Sequence, residues 1–185
     1  MKRPFLALLL VLGCSLSVAA PITYSVNRSI GSGSVIGSVE TDGTLGVLSG
    51  ANILDFTITL SSPNLFGGSP QVIAAGFWDV WGTALSATTT QLIFDFGAAF
   101  DSVFYLQSVN SLNAWCMAAG PSIFCNGEPF RSESIFFNSD NSGAPAETVI
   151  RNGRVAIATA VPEPSTLALL GLGLAGLAAS RRRKQ

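Results

Sequence analysis

The chain has 185 residues, with ten Lys or Arg against eleven Asp or Glu, a net charge of −1 and no histidine. Six of the ten cations are terminal (Lys2, Arg3, Arg181, Arg182, Arg183 and Lys184), so between Ala20 and Val161 four arginines face ten carboxylates and the middle carries about −6. An acidic, lysine-free middle excludes the electrostatic footprint of a nucleic-acid binder, and the lack of histidine removes the commonest general base and the commonest metal ligand.

At the N-terminus, Lys2 and Arg3 precede an apolar run from Phe5 to Leu16, followed by the small residues Ser17, Ala19 and Ala20. A positive start, a short apolar stretch and a small-residue exit make a secretory signal; a transmembrane helix needs about 20 apolar residues, and this run is shorter. Signal peptidase is expected to cut after Ala19, leaving residues 1–19 as the signal. A cut after Ala20 would set the rigid imide of Pro21 beside the scissile bond. Val11-Leu12-Gly13-Cys14 matches a lipoprotein cleavage box only in part, because Leu12 is bulky and the chain stays apolar through Val18.

Residues 20–160, roughly 140 in number, suit a single domain. Alternation dominates them. Ile22, Tyr24 and Val26 alternate with Thr23, Ser25 and Asn27; Leu54, Phe56, Ile58 and Leu60 with Asp55, Thr57 and Thr59; Leu92, Phe94 and Phe96 with Ile93 and Asp95. Val103, Tyr105 and Val109 share a parity further on. Such a period of two predicts half-buried antiparallel strands, and turn signals at Ile30 to Gly33, Asp42-Gly43, Ser62 to Ser69 and Asn138 to Gly143 separate them. No long window before the C-terminus has helical period. The expected fold is an all-β antiparallel sandwich of about eight to ten strands, jelly-roll or immunoglobulin-like.

Cys116 and Cys125 remain once the signal is removed. Export to an oxidising compartment makes them a structural disulfide around Gly120 and Pro121, because a redox pair more often stands two residues apart. Motifs that would carry chemistry are incomplete. Gly31-Ser32-Gly33-Ser34 with Gly37 lacks the lysine and following helix of a phosphate loop and reads as a hairpin. Asn138, Asp140, Ser142 and Gly143 mimic the start of a calcium loop, but Val149 stands where a bidentate Glu is required. Asp79, Asp95, Glu128 and Glu133 could serve a glycosidase, yet no spacing pairs them. Phe77, Trp78 and Trp81 around Asp79, with Trp115 further on, read as core or as a sugar-stacking face; Trp78 and Trp81 are the candidate sugar contacts, if both are exposed on one face.

The C-terminus runs Val161-Pro162-Glu163-Pro164-Ser165-Thr166, then Leu167 to Ala179 as apolar residues or Gly, then Ser180 and Arg181-Arg182-Arg183-Lys184. A helix over 165–179 would measure about 22 Å against a hydrocarbon core of roughly 30 Å, a deficit that bilayer thinning or arginine snorkelling must cover. The basic residues 181–184 act as a membrane stop on the cytoplasmic side, with everything before Pro162 outside. The prolines keep the stretch around Glu163 extended.

This order, over residues 161–185, resembles the PEP-CTERM sorting signal of Gram-negative bacteria. The resemblance implies recognition of Pro162, Glu163 and Pro164 by an exosortase, a polytopic membrane enzyme that cleaves near this motif in bacteria making exopolysaccharide and biofilm matrix. The span Ser38 to Leu60 also resembles a segment of other PEP-CTERM proteins and carries no activity with it. The expectation is therefore an exported, non-enzymatic surface or matrix protein, structural or adhesive, without cofactor or metal. Its partners would be signal peptidase, exosortase, the inner membrane in transit and an exopolysaccharide. A carbohydrate-binding module is the alternative, and a polysaccharide hydrolase is a third reading.

Overall fold

The first strands follow from strict alternation. Ile22–Ile30 (β1) buries Tyr24, Val26 and Ile30 while Thr23, Ser25 and Asn27 face solvent, and Gly33–Thr41 (β2) buries Val35 and Val39 in the same way. Their register runs without interruption from Ile22↔Thr41 to Ile30↔Gly33, so only Gly31 and Ser32 make the turn. Gly31 has φ +59, which a residue without Cβ adopts at little cost. The hairpin is what the glycines here build.

This is a computed structural model, and it describes residues 19–63, 69–74, 76–98, 101–109, 113–120, 125, 131–137 and 146–162. The remaining strands are Gly46–Val47 (β3), Ile53–Ser61 (β4), Gln71–Ala74 (β5), Phe77–Trp81 (β6), Leu85–Ala87 (β7), Gln91–Asp95 (β8), Ser102–Gln107 (β9), Ala114–Ala119 (β10), Arg131–Phe136 (β11), Glu147–Ile150 (β12) and Arg154–Ala160 (β13). A 3-10 turn at Gly50–Asn52 precedes β4, and no α-helix occurs among the described residues. The strands form two antiparallel sheets. One has eight strands in the order β3-β7-β8-β13-β1-β2-β4-β5, the other five in the order β12-β11-β10-β9-β6.

The apolar faces of both sheets meet in one core. Tyr24, Phe56, Phe94 and Phe96 come from the larger sheet and its edges, and Phe104, Leu106, Trp115, Met117 and Ile135 from the smaller. Ring edges meet ring faces within it, Phe94 on Phe96 at 4.8 Å and Phe104 on Trp115 at 5.8 Å between centroids. All-β architecture and antiparallel pairing agree with the alternation, but three details depart from it. Thirteen strands appear among the described residues where eight to ten were expected, because β3, β5, β7 and β12 have two to four residues and are too short to register as alternation. Leu54 does not join Phe56 and Ile58. A register shift where β4 meets Glu40 and Thr41 puts Ile53 in the core and leaves Leu54 45% exposed, as an inserted residue in a ladder does. Val103 and Tyr105 point away from the shared core, Phe104 and Leu106 point into it, and Val109 lies beyond β9 and is exposed.

On the outer face of the smaller sheet, Val103, Cys116, Ala118 and Cys125 form a second apolar cluster, with Tyr105 and Phe136 against it. Cys116 and Cys125 are joined there, with Cα atoms 5.7 Å apart. The expected disulfide pins the chain after β10 back onto its own sheet.

Candidate functional site

β13, the last strand, enters the larger sheet beside the first: Tyr24 faces Ala160 and Ser25 faces Thr159. The pairing is antiparallel, so β13 ends where β1 begins. Two backbone bonds close this end. The Ala160 N–H donates to the Thr90 carbonyl at 2.7 Å, and the Val161 N–H donates to the Thr23 carbonyl at 2.8 Å. The sheet thus holds the chain up to the residue before Pro162.

The neighbouring turn is tied to the same place. Tyr24 donates its hydroxyl to the Thr88 carbonyl at 2.7 Å, and burial pushes its pKa above the ordinary tyrosine value. The Thr88 hydroxyl accepts the N–H groups of Thr90 and Gln91 at 3.2 and 2.9 Å. Across β1, the turn after β2 approaches the start of the domain. Gly43 has φ +84, and a Cβ on it would overlap the carbonyl oxygen of Ala20. The turn is braced by Asp42, whose two oxygens accept Asn52 Nδ2–H at 3.0 Å and the Thr44 N–H at 2.9 Å. Those bonds, that from Asn52 foremost, hold the Asp42 carboxyl below the usual aspartate range.

One end of the domain, hereafter the pole, therefore gathers the expected signal-cleavage residues Ala19 and Ala20 and the first residue of the Pro-Glu-Pro motif. Ala19, Ala20 and Pro162 are exposed. A groove of about 520 Å³ lies at this end, lined by Ala160, Val161 and Pro162 at the end of β13, by Pro21, Ile22 and Thr23 at the start of β1 beside it, and by Thr89 and Thr90 of the turn that precedes β8 on its other side. These described lining residues are uncharged: three hydroxyls set among apolar carbon. Glu163, Pro164, the span 165–179, the basic residues Arg181, Arg182, Arg183 and Lys184, and most of the signal lie outside the described residues. Among those described, no helix is long and apolar enough to cross a membrane.

The other candidate residues are scattered. Trp78 and Trp81 lie on opposite faces of β6. Trp78 turns inward, donates Nε1–H to the Gly50 carbonyl at 3.0 Å and sets its ring edge-on to Phe56 at 6.1 Å. Trp81 turns outward and is 55% exposed, with Phe77 at 54% on the same face and Asp79 between them. Their three-residue spacing along a strand of period two could only separate the tryptophans. Opposite them on β9, Tyr105 faces Asp79 in the ladder and packs against Phe77 at 6.5 Å; burial raises its phenol pKa.

Of the four carboxylates weighed for hydrolysis, Glu128 lies outside the described residues and the rest sit on different strands. Asp79 is on β6, at the edge of the smaller sheet. Asp95 is on β8 of the larger sheet, where it accepts the Gly97 N–H at 2.8 Å. Glu133 is fully buried on β11. Arg28 Nε–H and Nη2–H donate to its two oxygens at 2.9 and 2.6 Å, Arg151 Nε–H donates at 2.9 Å and Trp115 Nε1–H at 3.2 Å. These two arginines also cap strand carbonyls, Arg28 that of Ala156 at 3.0 Å and Arg151 that of Ser29 at 2.9 Å. The cluster ties one sheet to the other. Its signal was parity, since Arg28 shares the inward set of Tyr24, Val26 and Ile30, and Glu133 that of Ile135.

The calcium-like stretch from Asn138 to Gly143 lies outside the described residues. Glu147, beyond it, accepts hydrogen bonds from the Ser32 N–H at 3.0 Å, the Ser32 hydroxyl at 2.6 Å and the Ser62 hydroxyl at 2.8 Å, a second tie between the sheets.

Compared with known families, residues 160–184 match the model of the PEP-CTERM protein-sorting motif. No curated protein and no solved structure matches the chain.

Proposed function

We propose that this chain, which carries a PEP-CTERM protein-sorting motif at residues 160–184, is an exported protein whose C-terminal tail is a temporary handle for exosortase. On this reading signal peptidase releases residues 1–19, the span 165–179 holds the protein in the inner membrane with Arg181 to Lys184 inside, and cleavage near Pro162-Glu163-Pro164 frees residues 20–160. The carrying observation is the motif itself, which starts on the last strand residue of the domain. The domain is a β-sandwich of the jelly-roll or immunoglobulin-like kind, in keeping with two antiparallel sheets over one core. Its role is structural or adhesive at the cell surface or in an exopolysaccharide matrix, and not catalytic: the one described carboxylate that is fully buried, Glu133, is engaged by two arginines. Mass spectrometry of the protein from cells with and without exosortase tests the reading. The tail should be missing in the first and intact in the second; a tail present in both sinks it.

The outward row Phe77, Asp79 and Trp81 favours a second reading, in which the domain binds carbohydrate. Two exposed rings offer apolar faces to the C–H side of pyranose rings, and the carboxylate between them accepts hydroxyl protons. Polysaccharide pull-downs should then lose about tenfold in affinity for Trp81→Ala. Unchanged retention of that variant removes this reading.

A further inference from the structure

We infer that the processing enzyme reads the folded domain together with the tail, with the groove at the pole as its docking surface. The inference rests on the proposed sorting role and adds a partner surface to it. Backbone bonds hold Ala160 and Val161 in the sheet, and Pro162 is the next residue. Covalent geometry keeps each further residue within about 3.6 Å of the last, so Glu163 lies no more than roughly 7 Å from Val161. A cleft that closes around a peptide has walls on both sides of it. Any cleft gripping Glu163 therefore has its rim against Thr23, Thr89, Thr90 and Pro21, because no linker separates the motif from the domain.

The chemistry of the groove suits such a rim. Hydroxyls of Thr23, Thr89 and Thr90 sit among the carbon of Pro21, Ile22 and Val161, and the described lining is neutral. That is the mixed surface of a transient protein interface. Among the described lining residues there is no cation for Glu163, so on this reading its counter-charge comes from the enzyme. The new N-terminus left by signal peptidase lies at the same groove, since Pro21 and Ile22 line it together with Val161 and Pro162. Both processing steps thus occur on one face of the domain. That face is the one the tail holds toward the membrane.

The occupant is the extracytoplasmic rim of the membrane-embedded exosortase, and the full chain tests it in cells that carry the enzyme. Thr89→Arg puts a long cation into the groove from an exposed turn. A five-residue Gly-Ser insertion between Val161 and Pro162 lifts the motif off the pole. Residues 161–185 fused to an unrelated secreted carrier present the tail alone. Pulse-chase should show all three processed about tenfold more slowly than the wild type, with the Cys116–Cys125 bond formed in the two variants as a check on folding. Wild-type rates in all three would show that the tail is read alone and overturn the docking surface. Faster cleavage of the insertion variant would mark the pole as an obstacle and overturn it equally. A wild-type chain that is never shortened defeats the sorting role itself, and the docking surface falls with it.

Discussion

Arg28, on the first strand of the larger sheet, holds both oxygens of Glu133 on the smaller sheet, at 2.9 and 2.6 Å. Arg151 reaches the same carboxylate at 2.9 Å, so a fully buried anion is shared by two partly exposed cations. Glu133→Ala removes the anion and leaves two guanidiniums facing each other in the gap between the sheets. The expected loss is about 3 kcal/mol, toward the low end for a broken buried pair because the arginines keep some water. Replacing all three with Met, Leu and Met should recover most of it. Urea unfolding of both variants decides; equal loss in the two would mean that packing, and not charge, sets the cost.

Reduction of the Cys116–Cys125 bond should destabilise the domain without unfolding it. The bridge closes a separation of nine residues. The chain-entropy model assigns a loop of that size about 2 to 3 kcal/mol. Melting curves with and without reductant should differ by several degrees, and Cys125→Ala should match the reduced form. A variant that melts with the oxidised protein would show that the bridge adds nothing.

Asp42 gives acid sensitivity a defined origin. Its folded-state pKa is lowered, first by the Asn52 amide and then by Thr44, so its stabilising effect is present above the unfolded value of about 3.9. That effect is lost as pH falls through the lower, folded value. Asp42→Ala should therefore melt below the wild type at pH 6, and the gap should narrow by pH 2. A gap independent of pH would contradict this.

Trp78 and Trp81 should separate stability from surface function. Trp78→Ala removes an inward ring and the bond to the Gly50 carbonyl, for about 2 to 3 kcal/mol. Trp81→Ala changes an outward side chain and should stay within about 0.5 kcal/mol. Denaturation midpoints rank the two variants directly, and the reverse order would refute the assignment of faces.

The strands that alternation revealed are those in which every other residue is large and apolar, such as Phe56, Ile58 and Leu60. They are long enough for a period of two to stand out. Gly46–Val47 and Leu85–Ala87 pair with each other and have no such pattern, so only backbone hydrogen bonding identifies them. Leu54 was misplaced because a bulge shifts parity by one, and nothing in the local residues announces a bulge. The pairing of Cys116 with Cys125 was legible from the expected export and from the absence of other thiols beyond the expected signal. The Arg28–Glu133 contact was half legible: each residue occupies inward parity, but which sheet opposes which is not a local property.

By itself the sequence determined the C-terminal sorting motif and the all-β class of the middle, and it set the expectation of a signal at the other end. A charge–apolar–small pattern, a Pro-Glu-Pro motif before a short apolar span and a basic stop are linear signals, legible from the order of the residues alone. Alternation likewise sets the burial of each strand face, since the side-chain period is a property of the backbone. Only the tertiary structure decided that the first and last strands pair, with Tyr24 opposite Ala160, and so that Ala19 and Ala20, the expected signal-cleavage residues, share one pole with Pro162. Contacts between residues so far apart in the chain depend on the order in which strands join a sheet. That order is chosen by the closing of the core as a whole, and no single segment carries it.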